Sequence, residues 1–207
     1  LSIGMDEMIY HTKAVGMGAP EAKIIFDMPF GSDTDKDTAL VNAVRVYKET
    51  KAFAVKIEGG TEKAEIIEHL VKNKVAVVGH IGLMPQFARA EGGYKVKGKN
   101  EAEIEKLLLD AKAVEAAGAS AIVIEGVKSE VAKQITEALS IPTIGIGAGV
   151  DCDEQVLVWS GMLGFFEEFT PKFVRKYMDG AALAKSAFEK FANDVKSGDF
   201  PNEKESY

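Results

Sequence analysis

Four short apolar runs in this chain each close on polar chemistry: IIFDMP presents Asp27, AVKIEGG presents Lys56 and Glu58, VVGHIG presents His80, and IVIEGV presents Glu125. A short continuous apolar run describes a strand buried on both faces, and such strands belong to parallel sheets covered by helices. In a β/α barrel the chemistry collects where the C-terminal ends of those strands open to solvent. An acid inside an apolar run is costly to bury alone, whereas several acids converging on one rim share a metal or a substrate. The pattern therefore predicts an α/β fold whose strand ends build one site.

The segments between these runs support that reading. MDEMIYHTKAVGMG has helical spacing, and Gly16 and Gly18 end it. A strand is predicted over 22–29 and a helix over 36–49 carrying Leu40, Val41, Val44 and Tyr47. Strands at about 53–58, 75–80, 120–125 and 142–147 then alternate with helical patterns near 61–73, 101–117 and 129–139, the signature of successive βα units. QVLVW at 155–159 fits strand or helix equally, because periodicity cannot separate them in so short a run. From Pro171 to Gly198 the pattern predicts two amphipathic helices before the polar tail PNEKESY. With no linker or low-complexity tract, residues 1–207 are expected to form a single domain. Five strands and one ambiguous strand do not close an eight-stranded barrel, so either the sheet is open or two N-terminal strands are missing from this chain.

Charge and cysteine usage exclude whole classes of function. With 25 Lys and Arg against 32 Asp and Glu, the formal charge is −7 and no basic stripe exists to neutralise a nucleic-acid backbone. The single cysteine, Cys152, rules out an internal disulfide framework and a multi-cysteine zinc site, and suits a reducing compartment. No run approaches the ~18 apolar residues of a membrane span, and no signal-peptide pattern opens the chain. These features point to a cytoplasmic protein without nucleic-acid or membrane partners.

Each candidate residue admits a functional and a plainer reading. Asp27 and Glu58 are hard oxygen ligands on successive strand ends and suit Mg²⁺; alternatively Asp27 caps a turn and Glu58 pairs with Lys56. Lys56 stands two residues before Glu58, on the same strand face, and either binds an anionic substrate or forms a rim ion pair. Burial of Glu125 among apolar neighbours would raise its pKa and make it a proton acceptor; otherwise it caps the next helix or pairs with Lys128. His80 orients substrate or is a satisfied core histidine. IGIGAG at 144–149 stands too late in the chain for a dinucleotide fingerprint, and its glycines serve either an anion or a tight turn. No nucleophile elbow, phosphate-binding loop, HExxH or CxxC occurs.

Taken in order, EMIYHTKAV, DMPF, VKIEGG, VVGHIGLMPQ, GGYKVKGK, DAKAVEAAGA, VIEGV, ITEALSIPTIGIGAG, DEQVLVW, FTPKFVRKY and SGDFP extend over essentially the whole chain. Together they resemble the ketopantoate hydroxymethyltransferase family. The resemblance implies a (βα)₈ TIM-type barrel of the phosphoenolpyruvate/pyruvate superfamily, lacking its first two β-strands here. It further implies Mg²⁺-dependent transfer of a hydroxymethyl unit from 5,10-methylenetetrahydrofolate to 3-methyl-2-oxobutanoate, giving 2-dehydropantoate for pantothenate and coenzyme A. The partners implied are the 2-oxo acid, the folate and further copies of the chain, since family members form decamers.

By the same resemblance Asp27 ligates Mg²⁺ and contacts the oxo acid, Glu58 is a second acid serving the metal, Lys56 binds substrate, Glu125 is the proton acceptor, and His80 lines the pocket. The Gly-rich stretch at 92–98 is expected to help hold the folate. Family members carry an upstream Gly-Asp-Ser stretch, with a further metal Asp and a substrate-contacting Ser, that these residues do not include. Ser160-Gly161 replaces His-Asp, Glu154 replaces Gly, and Met84 replaces Thr, leaving the principal site positions intact. Two other readings are another carbon–carbon lyase of the same superfamily and a non-catalytic barrel-derived subunit.

Overall fold

The computed structural model describes residues 2–207. The chain divides into two compact units, Leu1–Val156 and Leu157–Tyr207. The first contains helix α1 (Met5–Gly18), then β1 (Ile25–Asp27), α2 (Lys36–Glu49), β2 (Ala54–Glu58), α3 (Ala64–Lys72) and β3 (Val77–Gly82). It continues with α4 (Glu101–Ala116), β4 (Ala121–Glu125), α5 (Ser129–Ala138), β5 (Thr143–Ile146) and β6 (Glu154–Gln155). The strands pair in chain order, every neighbouring pair parallel, as a six-stranded half-barrel.

Local chemistry explains the element boundaries. Asp35 accepts hydrogen bonds from the Asp37 and Thr38 N–H groups at 3.0 and 2.9 Å and starts α2; Asn100 accepts from Glu103 at 3.0 Å and starts α4. Such side-chain acceptors satisfy N–H groups that have no partner inside the helix. The strand predicted over 22–29 contracts to Ile25–Asp27: Ile24 offers its carbonyl to Phe53 and Ala54, and Pro29, which has no N–H, ends the ladder. Of QVLVW, only Gln155 lies in β6.

The core sits between the outer sheet face and the helices. Val55, Ile57, Val77, Ile81, Ile122 and Ile124 pack there with Ala43 and Val46 of α2, Ile67 and Leu70 of α3, Val114 of α4, and Ile135 of α5. The alternate residues Ala54, Val78, Val123 and Ile146 form a second, smaller cluster on the inner face. The loop after β1 is pinned to the segment after β2 by Lys63, whose ammonium donates to the Asp33 carbonyl at 2.7 Å and pairs with its carboxylate at 3.1 Å.

The second unit holds a short helix, α6 (Trp159–Met162), and a long one, α7 (Gly180–Ser197). The spacing predicts two helices between Pro171 and Gly198, but only α7 forms. Residues 171–179 make one local turn, Val174 N–H to the Pro171 carbonyl at 3.0 Å, while Tyr177 N–H donates to the Met162 carbonyl at 2.8 Å; Gly180, opening α7, donates to that of Leu163 at 2.9 Å. Only Gly164 and Gly180 are buried in this unit, while Phe165, Phe169, Phe188 and Phe191 are exposed. Among the described residues, no helix is long and apolar enough to cross a membrane.

Candidate active site

Period-two alternation directs every candidate to the inner face. In β2, Val55 and Ile57 join the helix-packed core while Ala54, Lys56 and Glu58 turn inward; β3 does the same with Val78 and His80, and β4 with Val123 and Glu125. Pairing sets Asp27 opposite Lys56, Glu58 opposite His80, and Glu125 between Gly82 and Ile146.

Lys56 is the hub. Its ammonium lies 2.8 Å from Asp27 Oδ1, 3.0 Å from His80 Nδ1 and 3.7 Å from Glu58 Oε1. An ammonium has only hydrogens to offer, so His80 Nδ1 accepts and Nε2 carries the ring proton. That Nε2 faces the Leu83 carbonyl at 3.1 Å and Glu125 Oε2 at 3.4 Å. The five candidates thus form one connected set, from Asp27 through Lys56 and His80 to Glu125, with Glu58 Oε1 3.7 Å from His80 Nδ1.

Burial differs along the set in a way that assigns its open ends. The side chains of Glu58 and His80 are 4 % and 3 % exposed, whereas Glu125 is 17 % and Asp27 47 % exposed. A ligand entering from solvent therefore meets Asp27 and Glu125 first. Glu58 is the carboxyl that burial pushes above the ordinary glutamate range, against the opposing pull of Lys56 and His80. The nearest ring nitrogen to the Glu125 carboxylate is His80 Nε2; among the described residues no ion pair joins Glu125 to Lys128.

The donor chemistry can be tested against a divalent cation. Asp27 Oδ1 is buried and accepts no hydrogen bond, although the Lys56 ammonium stands at ion-pair distance. Glu58 supplies a second carboxylate beside the same lysine. No group of three His, Cys, Asp or Glu side chains suited to a metal converges among the described residues. Two carboxylates with water and substrate oxygens completing the shell are a normal Mg²⁺ arrangement, and a hard carboxylate oxygen is the right donor for it. The residues present fit.

Sequence reasoning does not single out Gln86. Its N–H donates to Glu58 Oε2 at 3.0 Å, and its side-chain amide donates to the Met28 carbonyl, one residue after Asp27, at 2.8 Å. The available signal is Pro85, which opens the short turn Pro85–Phe87 and leaves the following N–H without an internal partner.

A cavity of about 510 Å³ lies between α4 and the ends of β2 and β3, lined among others by Gly60, Gly82, Met84, Lys97 and Asp110; none of the five candidates lines it. The Gly-rich stretch is fastened next to β4, where Lys97 N–H donates to the Gly126 carbonyl at 2.9 Å. In IGIGAG, Gly149 has φ 88°, and a Cβ there would stand 2.6 Å from Ser129 Cβ, so this glycine serves a tight turn packed on α5.

The sequence matches the ketopantoate hydroxymethyltransferase family over residues 1–203. The 3-methyl-2-oxobutanoate hydroxymethyltransferase of Aliarcobacter butzleri (strain RM4018) is 62 % identical over 207 residues, covering 100 % of this chain and 77 % of that protein. The enzyme of the same name from Wolinella succinogenes is 60 % identical over 207 residues, covering 100 % of this chain and 79 % of that protein. The chain belongs to this family. It is accordingly an enzyme of the hydroxymethyltransferase class.

Solved structures of low sequence identity show the likeness of fold. A phosphonopyruvate hydrolase superposes with a TM-score of 0.54 at 14 % identity, over 99 % of this chain and 74 % of its own. A 2,3-dimethylmalate lyase of the PEP mutase/isocitrate lyase superfamily does so with a TM-score of 0.52 at 15 % identity, over 97 % and 70 %. The half-barrel is thus similar to the TIM-type barrels of that superfamily.

Proposed function

We propose that the protein transfers a hydroxymethyl group from 5,10-methylenetetrahydrofolate to 3-methyl-2-oxobutanoate, yielding 2-dehydropantoate. The observation that carries the reading is the connected set on the inner face: two carboxylates and an ammonium at one end, a histidine between, and a partly open carboxylate at the other. The names of the relatives at about 60 % identity agree with it.

A 2-oxo acid needs one positive end for its carboxylate and keto oxygens and one base near C3. Lys56 binds and orients the anionic end. Mg²⁺ held by Asp27 and Glu58 would supply Lewis-acid stabilisation of negative charge developing on the oxo acid. Glu125 removes the C3 proton, and His80, whose Nε2 stands 3.4 Å from Glu125 Oε2, accepts from Lys56 through Nδ1. The carbon left by that proton bonds to the one-carbon unit of the folate, whose carbon–nitrogen bonds break as water supplies the hydroxyl and tetrahydrofolate leaves, so the donor must lie over the same strand ends.

We further infer that the six strands are the last six of an eight-stranded barrel, which their unbroken sequential order supports. A homo-oligomer in the cytoplasm completes the reading; sedimentation of the purified protein tests the assembly. The function is tested by assaying oxo acid, methylenetetrahydrofolate and Mg²⁺ together. Turnover that requires all three supports the proposal, and its absence in a folded, full-length protein overturns it.

A further inference from the structure

We infer that Gln86 is a positioning residue: its side-chain amide latches the 83–87 turn onto the end of β1, and the latched turn fixes which oxygen of Glu58 faces the metal and substrate. The inference rests on the reading of Asp27 and Glu58 as the metal pair.

The turn serves two side chains of the set at once. Leu83 offers its carbonyl to His80 Nε2 at 3.1 Å, and Gln86 offers its N–H to Glu58 Oε2 at 3.0 Å. Pro85 has no N–H, and the turn's own bonds run from Phe87 N–H to the Met84 carbonyl and from Ala88 N–H to the Pro85 carbonyl. The Gln86 N–H is therefore spare, and it points out of the turn at Glu58. With Oε2 so engaged, Oε1 turns toward the Lys56 ammonium and His80 Nδ1, each 3.7 Å away. Oε1 is thereby the oxygen left for a cation shared with Asp27.

What keeps the turn in place is one long-range hydrogen bond. Gln86 Nε2 donates to the Met28 carbonyl at 2.8 Å, joining positions 58 residues apart. The residue before Met28 is Asp27, and Met28 N–H in turn donates to the Lys56 carbonyl at 3.1 Å. One amide thus ties the backbone carrying the first carboxylate to the turn that orients the second. The spacing of two acids around a cation is sensitive to such supports; groups that orient ligands from behind commonly affect metal affinity or activity ~10–100-fold.

Gln86→Leu removes the donor at nearly constant volume, and Gln86→Glu keeps the shape but sets an oxygen against the Met28 carbonyl. Both are compared with the wild type by Mn²⁺ titration followed by electron paramagnetic resonance, by thermal unfolding, and by amide hydrogen exchange in the metal-free protein. The latch predicts Mn²⁺ affinity weaker by about 10-fold or more in both variants. It also predicts faster exchange confined to the 83–88 segment, with the unfolding midpoint within about 2 °C of wild type. Wild-type Mn²⁺ binding with both variants within threefold of it overturns the latch alone. No Mn²⁺ binding by the wild type overturns the metal pair and the latch with it. Should Gln86→Leu unfold, Gln86→Glu carries the test, since it retains the side chain's bulk and polarity.

Discussion

On the inner face of β2, β3 and β4 an apolar side chain precedes the polar one nearer the strand end, giving a lower apolar row and an upper polar row. The upper row holds Asp27, Lys56, Glu58, His80 and Glu125; the lower row holds Ala54, Val78 and Val123, and Ile146, the register partner of Glu125, joins their apolar cluster. Both follow the same alternation, and β2, β3 and β4 contribute to each. The lower row is packed apolar surface and contributes stability through removal from water. The upper row consists of charges held against one another, and burial of Glu58 works against its ionised form. Chemistry is concentrated where the fold gains least from it, and the lower row is the support on which that layer stands.

Replacing Glu125 by Gln should separate the rows most sharply. Turnover and C3–deuterium exchange of the oxo acid are expected to fall by about 10³-fold, the scale of a lost general base, with the unfolding midpoint unchanged. Asp27→Asn comes next: Mg²⁺ affinity, read by calorimetry, should weaken by about 100-fold while circular dichroism stays the same.

In the lower row, Val123→Ala is expected to lower stability by about 1.5 kcal/mol in urea unfolding and to leave metal affinity as it was. Equal metal affinity in Asp27→Asn and Val123→Ala would erase the distinction between the rows.

The smallest expected effect has the opposite sign. Because burial raises the folded pKa of Glu58 above its ordinary value of 4.5, protonated Glu58 favours the fold. That contribution is fully present below the ordinary value and is lost as pH rises through the raised one. Glu58→Gln should therefore raise the unfolding midpoint by about 2 °C at pH 8, with the gain vanishing as pH approaches 4.5, although the same change removes a metal carboxylate. A midpoint that falls at pH 8 would show that the pull of Lys56 outweighs the burial.

Much of the fold is legible in the order of residues. The helix at 36–49 begins after Asp35 as its capping pattern requires, and the strands near Lys56, His80 and Glu125 lie within two residues of their predicted bounds. Local patterns fail where the backbone finds distant partners. The segment 171–179 has amphipathic spacing, yet its Tyr177 N–H reaches the Met162 carbonyl. The open choice for Lys56 between rim pair and substrate group is resolvable only in space, since its nearest partner, Asp27, belongs to another strand. Gln86 escapes a reading of the sequence for the same reason: both of its bonds cross from a turn to other strands, and no periodicity records such a contact.

The chain's own pattern sets the alternation of βα units, the inward face of each strand and the identity of the polar groups at the strand ends, because hydrophobic period and side-chain alternation are local properties. Which of those groups touch is settled by the folded sheet alone. The stagger of neighbouring strands brings Asp27 to Lys56 and leaves Glu125 beside His80, and the 83–87 turn folds back over Glu58. Register and loop closure join residues far apart in the chain, and the pairings they create are set by the packing of the whole sheet.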